Sequence, residues 1–306
     1  MNPHKGYIGQ SLLIALIACL FPIIGLIVAV PFFARKSLIE QSYAMEITDE
    51  NPGRGSLLKA LIIFTVILVL FGIIRLIGWQ HFWELWIYVG LSATFFAYLL
   101  PRIETQQRYE IAILGGAVPG LFYITIKNLF FFDSIKAMYE DALSKSMESL
   151  ESFVAPGQLE TILPKMEKIM LYGNASIWMF GIIIGLAIGA LIFSYRVPFP
   201  KWNYHIVRFP PVLWFGIIAG LILVILRQQV IGFNLLAICG AFYLIEGYSV
   251  LYFFIKNFYE NHKVLGTIIL IIPLLSIIVL GAVALLGLID NLVNIRKFQT
   301  SGGNSP

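Results

Sequence analysis

Eight long apolar runs constrain the fold of this chain more than any other feature of its sequence. They cover approximately Ile8–Phe33, Leu57–Ile77, Phe82–Leu100, Ile111–Phe132, Ala175–Tyr195, Pro211–Leu226, Val230–Ile255 and Val264–Ile289. A helix of about 20 apolar residues is long enough to cross the hydrocarbon core of a bilayer. Runs such as Ile268–Ile272 are continuous and lack the polar alternation of barrel strands. The pattern therefore predicts an all-α, polytopic transmembrane helix bundle of about eight spans.

The low charge content supports the same fold class. Of 306 residues, 59% are hydrophobic and 12% are charged, whereas about 25% of residues are charged in soluble domains. So few charges cannot cover a surface that faces water. We therefore expect a multi-pass protein of the cell membrane whose surroundings are the lipid bilayer. A soluble enzyme and a nucleic-acid-binding module are excluded.

Two of the eight runs are irregular. Pro22 and Pro31 lie inside the first run, which predicts either a kinked span or a partly re-entrant one. The sixth run is short and opens with Pro210 and Pro211. Lysine and arginine are concentrated in the loops after the first, third, fifth and seventh runs. This distribution predicts that those loops are cytoplasmic and that both termini lie outside the cytoplasm.

A polar insertion separates the first four runs from the last four. We expect an N-terminal membrane bundle over 1–132, an extramembrane helical hairpin over 133–174, a C-terminal membrane bundle over 175–298 and a disordered tail over 299–306. In the insertion, apolar residues at helical spacing predict two amphipathic helices separated by Pro156 and Gly157. This acidic hairpin either packs against the bundle or serves as a lid or docking site for a partner.

Seven glycines at four-residue spacing predict where helices pack together. They are Gly116 and Gly120 in the fourth run, Gly181, Gly185 and Gly189 in the fifth, and Gly216 and Gly220 in the sixth. Small residues allow helix backbones to approach closely in lipid, where hydrophobicity contributes little to association. We interpret these faces as contacts within the bundle. Contacts between copies of the chain, or with a separate partner, are the alternatives.

Ionisable side chains inside membrane spans are costly and are therefore candidate functional groups. Glu246 lies well inside the seventh run, with Tyr243 on the same helical face and Asn234 further along the helix. Lys127 and Arg227 are candidate cationic partners, although Lys127 can also extend to the interface. We treat these five residues as candidate ligand-binding residues. The alternative is that Glu246 is a structural carboxyl that joins two helices.

The sequence contains no recognisable catalytic motif or metal site. Its four histidines are scattered, its two cysteines are far apart, and it has no nucleophile elbow and no phosphate-binding glycine loop. We therefore expect no enzymatic activity, no cofactor and no metal. An intramembrane enzyme built around Glu246 is kept only as a minor alternative. Arg75, Glu84 and Asp290 lie at the ends of runs, where we expect them to be solvated.

The last hundred residues resemble a known family. The segments that carry the resemblance are Pro198–Pro200 with Trp202, Arg208–Pro210, Asn234–Leu236, Phe242–Gly247, Leu286–Asp290 and Ile295–Lys297. Together they resemble the YybS-like family of multi-pass bacterial membrane proteins, which has no established activity. That family is in turn distantly similar to the substrate-binding (S) subunits of energy-coupling-factor transporters. The resemblance implies a compact helical bundle that holds a small molecule or docks on other membrane subunits.

Two functions follow from these observations. The first is an integral membrane protein that binds or transports a small-molecule ligand, together with membrane protein partner subunits, through the residues around Glu246. The second is a membrane scaffold for assembly or signalling, without transport activity. It would act through the glycine-rich faces and the acidic hairpin.

Overall fold

Helices joined by short loops make up the computed structural model of the chain. It describes residues 3–46, 56–105, 107–130, 136–137, 141, 145, 158–197 and 199–296. In chain order the α-helices are α1 (Pro3–Leu20), α2 (Pro22–Glu46), α3 (Ser56–Ile73), α4 (Trp79–Leu85), α5 (Ser92–Leu99), α6 (Arg108–Phe130), α7 (Gln158–Arg196), α8 (Leu213–Ile225), α9 (Gln229–Asn261), α10 (Lys263–Ile271) and α11 (Ile277–Val293). A π-helix, Trp86–Leu91, joins α4 to α5, and 3-10 helices cover Leu100–Arg102, Tyr204–Ile206 and Ile272–Leu275. No strand occurs in the described ranges, and the predicted all-α class is confirmed.

Five helical segments are long and apolar enough to cross a membrane. They are Ser56–Ile73, Trp79–Arg102, Arg108–Asn128, Gly173–Arg196 and Gln229–Asn261. They correspond to the second, third, fourth, fifth and seventh of the predicted runs. A bent pair, α10 with α11, raises the number to six if it is counted as one span. By length and composition the described residues contain five or six candidate spans, and two further apolar helices, Ile8–Leu20 and Leu213–Ile225, are shorter.

The first predicted run is divided into two helices. The helical pattern stops at Phe21, and Pro22, which has no N–H to donate, begins α2. A Cβ on Gly25 would lie 2.6 Å from the Cα of Ala18, whereas residues seven apart in a straight helix are separated by about 10 Å. The chain therefore folds back sharply at Phe21. The first run is therefore not a single kinked span, which was one of its two predicted forms.

The eighth predicted run is also not one straight helix. Helices α10 and α11 meet at an angle of 107°. Arg296, which follows α11, donates hydrogen bonds to the carbonyl oxygens of His205 and Val207 in the loop after the fifth run. The charge count had placed this loop and the residues after α11 on opposite sides of the membrane. The contact favours a bent segment that returns to the side on which it starts, in place of the sidedness predicted from the charges.

All seven glycines named from the sequence lie at contacts between helices of this one chain. Gly185 and Gly189 of α7 face Leu26 and Val30 of α2, and Gly181 lies one turn earlier on the same face. The glycines of α6 face α5 and α7, and those of α8 face α9. Side chains at these positions would separate the helices.

A still closer contact joins α9 to α11. A Cβ on Gly247 would overlap the carbonyl oxygen of Val283, and a Cβ on Gly287 would overlap that of Tyr243. Only glycine allows two helix backbones to meet this closely. Glycine spacing did not predict this contact, since neither glycine has a second one four residues away. The contact holds the end of α11 beside the middle of α9.

The polar insertion is described only in part. Most of its first predicted helix, and the break at Pro156 and Gly157, lie outside the described residues, as does the tail over 299–306. The second predicted helix begins at Gln158 and continues without interruption into the fifth run as α7, which has 39 residues. That helix is therefore an extension of a membrane helix.

Candidate functional site

Glu246 is completely buried where α9 meets α11 and the loop that precedes α8. The backbone N–H of Phe209 donates to its Oε2 at 3.1 Å. The Asn291 amide donates to Oε1 at 3.1 Å and to Oε2 at 3.0 Å. Trp214 donates from Nε1 to Asn291 Oδ1 at 3.1 Å and so orients that amide. Both carboxylate oxygens are therefore hydrogen-bonded, as a buried carboxylate requires.

A second buried carboxylate, Asp290, lies close to Glu246. It is 0% exposed and pairs with Arg296, whose Nη2 lies 2.6 Å from Asp290 Oδ2. The same guanidinium donates to Ser249 Oγ at 2.7 Å and to Val207 O at 2.7 Å. The guanidinium group carries several N–H donors in one plane, so it can bind several acceptors at once. The arginine therefore joins α9, α11 and the loop before α8.

The expectation that Asp290 is solvated is wrong. Asn294 adopts the left-handed conformation, with φ 53°, and its N–H donates to the Asp290 carbonyl at 2.7 Å. Asparagine tolerates this conformation better than most residues. The chain therefore turns back after α11 and places Arg296 over Asp290.

We refer to Glu246, Asp290, Asn291 and Arg296 as the Glu246 cluster. Its hydrogen bonds connect two helices and a loop, and both Glu246 oxygens already accept donors from the chain itself. These contacts fit the structural alternative for Glu246.

The other candidate residues on α9 and beside it have different surroundings. Tyr243 is 1% exposed, one turn before Glu246, and its ring lies 6.1 Å from that of Trp214. Asn234 lies about 18 Å from Glu246 along α9, where its Oδ1 accepts a hydrogen bond from the N–H of Ser176 at 2.9 Å. Arg227 is exposed in the turn between α8 and α9. The structure thus brings Tyr243, but neither Asn234 nor Arg227, to the Glu246 cluster.

Lys127 forms an ion pair at the opposite end of the bundle. Its Nζ lies 2.5 Å from Oε1 of Glu84, and the two side chains are only 12% and 19% exposed. Glu84 is therefore not solvated as expected, and Lys127 is not a partner of Glu246. His81 Nδ1 lies 3.6 Å from Glu84 Oε2, which is too long for a hydrogen bond. Oε2 can accept a further donor.

A pocket of about 270 Å³ lies beside this ion pair, between α2, α4 and α7. Its walls are Pro22, Ile23, His81, Glu84, Leu85, Tyr88, Ile177, Trp178 and Gly181. The ring of Trp178 lies 4.9 Å from that of Tyr88. The pocket is almost entirely apolar and aromatic, with His81 and Glu84 in its lining, and its volume lies just below the range of about 300–1,000 Å³ that is usual for small-molecule sites. We call it the Glu84 pocket.

Sequence reasoning missed the Glu84 pocket. Its walls come from three runs that are far apart in the chain, and the fold at Phe21 that places Pro22 in one wall is not visible in hydropathy. The three-residue spacing of His81 and Glu84, which places both on one helical face, was the available signal.

Taken together, the fold and these buried ionic contacts define a polytopic α-helical membrane protein. Residues 53–291 match the family described as "Predicted membrane protein (DUF2232)". Because this match covers most of the chain, the protein belongs to that family. The matched range contains both Glu84 and Glu246. No curated protein and no solved structure matches the chain.

Proposed function

We propose that this membrane protein binds a small molecule in the Glu84 pocket and acts together with partner subunits of the cell membrane. The observation that carries the proposal is Glu84, which lies in the lining of an otherwise apolar and aromatic pocket and whose Oε2 is 3.6 Å from His81 Nδ1, too far for a hydrogen bond. A hydrogen bond from a ligand is strongest at a largely buried carboxylate oxygen that lacks another donor, because little water competes for that oxygen.

The Lys127–Glu84 pair gives a second argument. Two charges in a membrane bundle are costly to bury, and a well-packed apolar pair is often equally stable. An ion pair kept at the wall of a pocket therefore has a use beyond stability. Lys127 neutralises Glu84 when the pocket is empty and leaves one oxygen for the ligand.

The Glu246 cluster is a weaker candidate for the binding site. Its carboxylates already accept hydrogen bonds from Phe209, Asn291 and Arg296. A ligand would first have to displace these donors. We therefore assign the small-molecule site to Glu84 in place of Glu246.

The partner subunits rest on the resemblance alone. The similarity to the YybS-like family, and the distant one to substrate-binding subunits of energy-coupling-factor transporters, suggests a binding subunit that works with others. The scaffold alternative has less support. The glycine faces it requires are occupied by helices of this chain, and most of the acidic hairpin lies outside the described residues.

The experiment is to narrow the pocket and look for the bound molecule. Ile177 lines the pocket and is 59% exposed, and Ile188 lies further along α7 at 40% exposure. Native mass spectrometry of the purified protein should show a bound molecule in the wild type and in the control Ile188→Trp, and its loss in Ile177→Trp. The same bound mass in all three proteins, or none in any of them, would refute the proposal.

A further inference from the structure

The Glu84 pocket is open towards lipid on one side. Ile23 at the start of α2 and Ile177 on α7 both line it, and they are 44% and 59% exposed. Phe21, next to the pocket in the chain, is 58% exposed. Large apolar side chains that remain exposed on the helices of a membrane bundle contact acyl chains in a bilayer. A molecule can therefore reach the pocket from the membrane.

The other side of the pocket lies at the depth of the bilayer surface. The His81 side chain, which lines the pocket, is 53% exposed. Trp79 and Trp83 on the same short helix are 57% and 52% exposed, and tryptophan is enriched where the bilayer meets water. An occupant would have an apolar part over Ile23 and Ile177 and a polar part beside His81 and Glu84.

The charges of the pocket select the polar part. Lys127 pairs with Glu84 through Oε1, so Oε2 remains as a hydrogen-bond acceptor; a donor can bind there, whereas a phosphate or carboxylate oxygen, which only accepts, cannot. An ammonium group supplies up to three donors and the charge. Tyr88 and Trp178 also line the pocket, and aromatic rings attract cations over their faces.

We infer that the occupant of the Glu84 pocket is a membrane lipid with an ammonium headgroup. The ammonium donates to Glu84 Oε2, and the chains lie over Ile23 and Ile177. This inference rests on the proposed function and names the ligand class of that site.

The test compares two lipids with identical chains, phosphatidylethanolamine and phosphatidylglycerol, titrated onto the detergent-solubilised protein and followed by native mass spectrometry. We expect about tenfold tighter binding of the amine lipid, because its ammonium donates a charge-assisted hydrogen bond whereas the glycerol headgroup has only neutral hydroxyl donors. Glu84→Gln should abolish this preference. The control Glu260→Gln, which changes an exposed acid with Lys256 as its neighbour, should retain it.

A second variant distinguishes recognition of the ammonium group from a purely structural role of the Glu84–Lys127 pair. Lys127→Gln removes the cation that neutralises Glu84 and should increase the preference for the amine lipid. A purely structural ion pair predicts instead that Lys127→Gln and Glu84→Gln weaken binding alike.

Three results would overturn the inference: equal binding of the two lipids by the wild type, a preference that survives in Glu84→Gln, or displacement of the lipid by the chain-free headgroup at equal concentration. A water-soluble occupant that is lost in Ile177→Trp would overturn the lipid inference and leave the proposed function standing. The absence of a bound molecule from every one of these proteins would contradict both the lipid inference and the proposed function.

Discussion

Two buried carboxylates of this chain have opposite surroundings. Both oxygens of Glu246 accept hydrogen bonds, from Phe209 and Asn291. Oε1 of Glu84 pairs with Lys127, and Oε2 lies 3.6 Å from His81 Nδ1. Since the strength of a buried polar contact depends on what already satisfies it, we expect the first residue to stabilise the fold and propose the second as the ligand contact.

The Asp290–Arg296 pair should contribute strongly to stability. Arg296→Met leaves a buried charge on Asp290 without its partner, and we expect a loss of about 3–5 kcal/mol in the free energy of unfolding. Lys263→Met, at an exposed lysine, should change it by less than about 0.5 kcal/mol. Adding Asp290→Leu to Arg296→Met should recover part of the loss. Denaturant titration in detergent measures all three, and a wild-type midpoint for Arg296→Met would contradict the pairing.

His205 gives this region a dependence on pH. Burial, followed by the charges of Lys256 and Arg296, lowers the pKa of His205 from its ordinary value of 6.5. Because the folded pKa lies below the unfolded one, the contribution of the neutral imidazole is complete above pH 6.5 and is lost as the pH falls through the folded pKa. The unfolding temperature should therefore fall on acidification, and it should fall less in His205→Asn. Identical pH profiles for the two proteins would contradict this.

Part of the site was predictable at the scale of single residues. Glu246 and Lys127 were found because an ionic group in an apolar run is rare and costly. Their partners were not found. Lys127 meets Glu84, 43 residues earlier, and Glu246 meets Asn291, 45 residues later. These pairings depend on how the helices are arranged, and periodicity along one helix does not contain that information.

At the scale of helices, the length and composition of the apolar runs predicted the straight spans but not the bends. Pro22 and Pro273 lie where the first and the eighth apolar runs change direction. Proline favours such bends because it cannot continue the helical hydrogen-bond pattern. Helix α8 has 13 residues, about 20 Å of helix, which is shorter than the hydrocarbon core of about 30 Å. Hydropathy counts apolar residues and does not detect where a helix turns.

The contact between α9 and α11 can be tested with two glycines of the same helix. A Cβ on Gly287 would overlap the carbonyl oxygen of Tyr243, whereas a Cβ on Gly281 meets nothing within 4 Å. Gly287→Ala should therefore lower the free energy of unfolding by about 1–3 kcal/mol. Gly281→Ala should leave it unchanged or raise it by about 0.5–1 kcal/mol, because alanine favours helix. Thermal unfolding in detergent compares them, and equal effects would contradict the close contact.

At the scale of the whole molecule, the bent eighth segment decides where the chain ends. Arg296 contacts the loop after the fifth run, which favours the same side of the membrane for that loop and the residues after α11, whereas the distribution of charges predicts opposite sides. In the described part of the chain, five helices of spanning length, two shorter apolar helices and the bent pair of α10 and α11 make up the bundle.

This arrangement predicts the result of labelling from one side of the membrane. With Cys19 and Cys239 replaced by alanine, Lys201→Cys reports on the loop and a single cysteine appended after residue 306 reports on the C-terminus. A maleimide that cannot cross the membrane should label both positions from the same side of sealed vesicles. The eight-span topology predicts labelling from opposite sides, and that outcome would contradict the bent segment.

The most direct measurement compares the same substitution at the two carboxylates. Glu84→Gln should lose the molecule that co-purifies with the wild type. Glu246→Gln should keep that molecule and unfold more easily, by about 1–3 kcal/mol, because one buried hydrogen-bond partner becomes mismatched. Native mass spectrometry and thermal unfolding of the two variants give the answer. Loss of the bound molecule in Glu246→Gln with its retention in Glu84→Gln would contradict the assignment of the site.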